Sequence, residues 1–154
     1  MGKDMVTITK NILLIDDEPD ITFTIKNILE DNGSKVDSFN DPISALDNYQ
    51  INFYDLVILD IKMPKMNGFQ LYTKIREQDP KVKICFLTAT AMFTEEIKSS
   101  LLTLGKTIDK DYFIQKPISA EGLIDHLSRI INNNNKNEDN GIKNWVHYHF
   151  NLLP

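Results

Sequence analysis

Asp16, Asp17, Asp60, Thr88 and Lys116 are the residues of this 154-residue chain whose types and spacing most favour chemistry. Each closes or follows a short apolar run: "LLIDDE" brings Asp16-Asp17-Glu18, "LVILD" brings Asp60, "CFLT" brings Thr88, and "FIQKP" brings Lys116-Pro117. Singly, each has a plain structural use, such as a turn or helix cap for an aspartate after a strand. Their coincidence at successive strand ends is what sets them apart. Clustered carboxylates raise one another's pKa unless a cation neutralises them. Oxygen-only ligands suit Mg²⁺, which prefers octahedral geometry and keeps some waters. A phosphoryl group brought there would meet the metal, the Lys116 ammonium and the Thr88 hydroxyl at its oxygens. A carboxylate can itself attack phosphorus and become an aspartyl phosphate. Asp60 stands alone at its strand end, between the acidic pair and the lysine, and is the candidate acceptor.

The elements that must position these groups are legible in the pattern of apolar residues. Short runs at 11–16, 35–39, 55–60, 83–88 and 112–116 read as strands, and four of them are continuously apolar. That is the pattern of strands covered on both faces. "KVDSF" (35–39) alternates instead and is expected at a sheet edge. Helical stripes lie between them: Ile21, Ile25, Ile28 and Leu29 stopped by Asn32-Gly33; Ile43, Leu46 and Tyr49 after an Asp41-Pro42 cap; Phe69, Tyr72 and Ile75; Phe93, Ile97, Leu101 and Leu104 before Gly105; and Leu123, Leu127, Ile130 and Ile131. Repeated strand–helix alternation predicts an α/β fold with a parallel sheet, right-handed crossovers and helices on both faces. In such sheets functional groups gather beyond the carboxyl ends of the strands, where strand order reverses.

Composition narrows the class. The length fits one domain plus a short extra segment, large enough to bury a core without staples. The formal net charge of −5 argues against a nucleic-acid partner. Cys85 is the only cysteine, so no internal disulfide forms, which fits a reducing compartment. Neither a signal peptide nor a run long enough to span a bilayer is apparent, and the expectation is a cytoplasmic protein without a membrane partner. Residues 1–9 read as an N-terminal extension, 10–131 as the domain, the Asn-rich 132–141 as a flexible linker, and 142–154 as a short apolar tail.

The stretches "LLIDDEPD", "LVILDIKMPKMNGFQL", "FLTA" and "YFIQKP" resemble the receiver domain of two-component response regulators, in order and at similar spacing, over about residues 10 to 131. The resemblance is to the stand-alone, chemotaxis-regulator type. It implies a flavodoxin-like doubly wound sheet of five strands in the order 2-1-3-4-5. It implies that Asp60 accepts a phosphoryl group from a sensor histidine kinase, with Mg²⁺ (or Mn²⁺) held by Asp16, Asp17, Asp60 and the backbone carbonyl of Lys62. By the same resemblance Lys116 pairs with the phosphoryl group, Thr88 and Phe113 form the switch, Lys62 and Thr90 tune the phosphate lifetime, and the Lys116–Pro117 bond is cis. A downstream protein partner is expected at the face formed by the fourth helix, the fifth strand and the fifth helix.

One departure bears on that face. Twenty-seven residues separate Thr88 from Lys116, more than the family usually has, and the excess falls in "LGKTIDKD" (104–111). Its "GKT" is not a phosphate-binding loop, because Ser100 stands where the motif needs glycine. Three other readings compete with a phosphoacceptor switch. One is a relay intermediate that hands phosphate to a histidine phosphotransfer protein. Another is a Mg²⁺-dependent phosphohydrolase, which Lys62 disfavours because that class usually carries an acid two residues after its nucleophile. The last is a binding module that uses no phosphorylation, against which all five site residues speak. The tail "WVHYHFNLLP" suits an interface with another protein or with a second copy in a homodimer, and equally a segment folded back on its own domain or a disordered end. His147 and His149 are too weakly spaced a pair to argue for a metal.

Overall fold

The computed structural model describes residues 7–89, 99, 102–103, 112–116 and 119–132. Five strands form one parallel sheet: β1 (Asn11–Ile15), β2 (Lys35–Phe39), β3 (Leu56–Asp60), β4 (Lys83–Thr88) and β5 (Phe113–Gln115), in the order β2-β1-β3-β4-β5. Four helices are described: α1 (Pro19–Asp31), α2 (Pro42–Asp47), α3 (Gly68–Gln78) and α4 (Ala120–Asn132). Order and direction match the sequence expectation, including the edge position of the alternating strand β2.

The continuous apolar runs have the cause expected of them. Alternate side chains of each strand enter two separate cores. Leu13, Ile15, Val57, Leu59, Ile84 and Phe86 face α2 and α3, where they meet Ala45, Phe69, Leu71 and Ile75. Ile12, Leu14, Ile58, Cys85 and Leu87 face α1 and α4, where they meet Ile25, Leu29, Leu123 and Leu127. Every residue of β3 is buried. A strand wrapped on both sides has no polar face to show, and so its terminal Asp60 stands out.

Local signals set the helix ends. Asp41 accepts a hydrogen bond from the Ser44 N–H at 2.9 Å, and Asn67 and Gln70 close a capping box at the start of α3. Gly33 takes φ 104° beyond α1, a value glycine adopts without strain, and its N–H reaches the Glu30 carbonyl at 3.0 Å.

Three expectations need correction. α2 ends at Asp47, so Tyr49 lies beyond it, and Ile43 is 37 % exposed while Ala45 takes the buried place. β5 is Phe113–Gln115 rather than 112–116. α4 continues through Asn132, into the stretch read as linker. Ser99, Leu102 and Thr103 are helical, in keeping with the fourth stripe, whose apolar residues lie outside the described residues. Thr90, Pro117, the 104–111 segment, the rest of the linker and the tail also lie outside them.

Candidate functional site

The chain crosses from β1 outward to β2 and then back to β3 on the other side, so the strand order reverses between β1 and β3. In doubly wound sheets this reversal, at the carboxyl ends of the strands, is where ligand sites form. Ile15 pairs in register with Leu59, which brings Asp16 level with Asp60 on the neighbouring strand. Thr88 lies one step beyond the Leu87 that pairs with Asp60. The Lys116 N–H donates to the Thr88 carbonyl at 2.7 Å, continuing the β4–β5 ladder by one residue and fixing where the lysine leaves the sheet.

Four of the segments singled out in the sequence therefore meet. The Lys116 ammonium donates to Asp16 Oδ2 at 2.7 Å and to Asp60 Oδ1 at 3.2 Å, and both carboxylates are fully buried. Asp16 has its second oxygen occupied by the Glu18 N–H at 2.9 Å. Asp60 does not: among the described residues its Oδ2 is buried without a hydrogen-bond partner. Thr88 is buried beside this group at its strand end. The carboxylates of Asp16, Asp17 and Glu18 form an acidic cluster, their oxygens within 4.8 Å of one another. Glu18, which the sequence reading left without a role, belongs to that cluster.

Burial dominates the electrostatics. It pushes the Asp60 carboxyl up to about 8, the Asp16 charge adds to the rise, and Lys116 opposes it. The neighbouring Asp17 carboxyl adds further to the rise at Asp60. Lys116 is held above the ordinary lysine range: desolvation works against its charge, but its two carboxylate partners outweigh that. The arrangement is an acidic, oxygen-rich cluster around one lysine, with one uncommitted carboxylate oxygen. The donor set fits a hard divalent cation: oxygens only, an excess of negative charge, and a buried oxygen lacking a partner.

The surroundings hold the rim in place through residues that sequence reasoning missed. Asn40, at the end of β2, donates from Nδ2 to the Asp16 carbonyl at 2.8 Å and to the Thr22 hydroxyl at 2.9 Å, tying three segments together. Its only signal was a polar residue at the end of a strand next to β1. Gly68 donates its N–H to the Ile61 carbonyl at 2.7 Å and packs against the Asp60 backbone. Phe113 is buried, its ring stacked on Phe86 at 5.2 Å and 23°, with Phe69 next to both. Lys62 is exposed just beyond Asp60.

Fold and site define a class of protein, a doubly wound α/β domain with an acid–lysine cluster at its switch point. The family model described as the response regulator receiver domain matches residues 12–128, and the chain belongs to that family. The receiver domain is a signalling module of two-component systems, and residues 12–128 make up such a domain. The sensor protein EvgS of Escherichia coli strain K12 is 35% identical over 120 residues, covering 78% of this chain and 10% of EvgS. The transcriptional regulatory protein DltR of Streptococcus agalactiae is 32% identical over 113 residues, covering 73% of this chain and 48% of DltR. The chain thus spans half or less of the length of these curated relatives, and one of them regulates transcription by name. Family membership therefore leaves the charge-based expectation against nucleic acid without support. Among solved structures, the non-phosphorylated receiver domain of HemR from Leptospira biflexa matches with TM-score 0.66 and 30% identity, over 83% of this chain and 98% of that one. Chemotaxis protein CheY4 of Vibrio cholerae matches with TM-score 0.65 and 28% identity, over 80% of this chain and 99% of that one. No helix among the described residues is long and apolar enough to cross a membrane.

Proposed function

We propose that Asp60 accepts a phosphoryl group from a sensor histidine kinase in a step that needs Mg²⁺ or Mn²⁺, and that the acquired charge switches a protein-binding surface. The observation that carries this reading is the contrast within Asp60. Its Oδ1 is anchored by Lys116, while its buried Oδ2 has no partner among the described residues. An anchored carboxylate with one uncommitted oxygen is poised as a nucleophile.

The chemistry is a single displacement at phosphorus. A bond forms between an Asp60 oxygen and the phosphorus as the phosphorus–nitrogen bond to the donor histidine breaks, and the imidazole nitrogen keeps the electron pair. Lys116 offers its charge to the phosphoryl oxygens from its place between Asp16 and Asp60, and the Thr88 hydroxyl takes another oxygen. Asp16 and Asp17, with Asp60 and the backbone carbonyl of Lys62, would hold the cation, and Glu18 adds charge to the same cluster. The bound cation supplies positive charge that keeps Asp60 ionised and neutralises the incoming phosphoryl group. Thr88 and Phe113 are the switch in this proposal, supported by the burial of Phe113 on Phe86, a neighbour of Leu87 and Thr88 along β4. Lys62 and Thr90 would set how easily water reaches the acyl phosphate, and the bond before Pro117 would be cis.

The output in this reading is a cytoplasmic protein–protein contact through the face around β5 and α4. A relay role, in which phosphate passes on to a histidine phosphotransfer protein, is a second reading, favoured by the match to a short part of the sensor protein EvgS. The test is intact-mass analysis with acetyl phosphate. One phosphoryl group should be gained with Mg²⁺ and none with a chelator or in Asp60→Asn. Equal uptake by Asp60→Asn would overturn the proposal, and return of phosphate to a histidine protein would separate relay from terminal switch.

A further inference from the structure

At the opposite pole of the sheet from Asp60, the amino ends of β1, β3 and β4 and the last turn of α4 enclose a cleft of about 330 Å³. Its charges are unevenly satisfied. Asp55 accepts from the Asn11 N–H at 2.8 Å, and Asp79 accepts from the Tyr49 hydroxyl at 2.9 Å and the Asn52 N–H at 3.2 Å. Lys83 is turned to the carbonyls of Ile130 and Ile131 at 3.0 and 2.6 Å, closing the carboxyl end of α4. Lys10 and Lys81 also line the cleft, and among the described residues neither ammonium has an ion-pair partner. The cleft therefore offers two uncommitted cations beside carboxylates already in use. Next to it, around the lining residue Asn52, Ile51 and Phe53 are 52 % and 43 % exposed, an apolar rim with no described cover.

We infer that this cleft is the docking site for the chain's own residues 138–154. The continuation of the chain starts at the cleft, because Ile131 lines it and α4 ends at Asn132. Six residues on come Glu138 and Asp139, an acidic pair matching the two lysines, within reach of a span of about 20 Å at ~3.3 Å per residue. Then follow Trp145, Tyr148 and Phe150, the only aromatic residues after α4, matching the apolar rim. The segment thus carries both acidic residues to meet the lysines and aromatics to cover the apolar rim. Tethering makes weak contacts sufficient: a short flexible linker gives an effective concentration of about millimolar, so a contact with a Kd of ~100 μM is about nine-tenths occupied. The clasp sits far from the phosphoacceptor and is separate from its chemistry.

Trp145 is the only tryptophan, so its fluorescence in the full chain reports docking directly. Its emission should be blue-shifted and shielded from acrylamide at every protein concentration. In Ile51→Ser/Phe53→Ser, which alters exposed side chains only, emission should move to that of an exposed indole and quenching should rise about threefold. Lys10→Glu/Lys81→Glu should expose Trp145 likewise, and adding Glu138→Lys/Asp139→Lys should restore the protection. Circular dichroism checks that each variant is folded. A solvent-exposed Trp145 in the unaltered chain overturns the inference. So does protection that survives both sets of surface substitutions, or that fades on dilution as it would between two copies.

Discussion

A Cβ on Gly68 would stand 2.4 Å from the carbonyl oxygen of Asp60, nearer than any real contact allows. It would also sit 2.9 Å from Ile61 Cα, so the obstacle is backbone on both counts. The first residue of α3 is pressed against the peptide that carries the acceptor, and only glycine permits that approach. Gly68→Ala should push α3 and the end of β3 apart. Overpacking of this kind costs about 1–3 kcal/mol, and thermal unfolding should show it. Phosphoryl uptake by Asp60 should slow as well, measured under conditions where the variant is fully folded.

Lys116 holds two buried carboxylates with one ammonium. Lys116→Met keeps most of the stem and removes the charge, leaving Asp16 and Asp60 without their shared partner. Phosphorylation by acetyl phosphate should fall at least about tenfold, equivalent to ~1.4 kcal/mol of lost stabilisation in the transition state. A rate within twofold of the unaltered protein would remove Lys116 from the mechanism.

Without a cation, the Asp60 carboxyl is raised from its ordinary value to about 8, burial being the first cause. The folded state therefore holds a proton there that the unfolded chain releases near pH 4. Stability from this group is fully present below about pH 4 and is lost as pH rises through about 8. Asp60→Asn has no such loss. In chelator, its melting temperature should exceed that of the unaltered chain by a margin that widens from pH 5 to pH 9, reaching several degrees for a difference of ~2 kcal/mol. Mg²⁺ should narrow the margin, because the cation replaces the proton.

Deleting residues 133–154 should leave phosphoryl uptake unchanged, since every described site contact lies between Asp16 and Lys116. The check is the rate of mass gain with acetyl phosphate in the shortened chain and the full one.

Strand order, the two-sided core and the gathering of Asp16, Asp60, Thr88 and Lys116 were all readable from sequence. Strand order came from the resemblance to receiver domains. The two-sided core and the meeting of strand ends at one rim follow from apolar periodicity, because a doubly covered parallel sheet gathers them there. What escaped has equally physical reasons. α2 has only six residues, too few for a stripe to fix its buried face, and Ile43 was placed wrongly while Ala45 carried no signal. Asn40 acts on the Asp16 carbonyl across 24 residues, a contact that exists only once β2 lies beside β1. Gly68 looked like a turn former, whereas its role is close approach to another strand's end.

The most direct measurement reduces the phosphorylated protein with borohydride, which converts an aspartyl phosphate to homoserine, and sequences the peptides by mass spectrometry. Homoserine should be found at position 60 alone, and only when Mg²⁺ was present during phosphorylation. Homoserine at position 16 or 17, or a phosphoryl group that resists borohydride because it sits on a hydroxyl or a histidine, would contradict the assignment of Asp60 as acceptor.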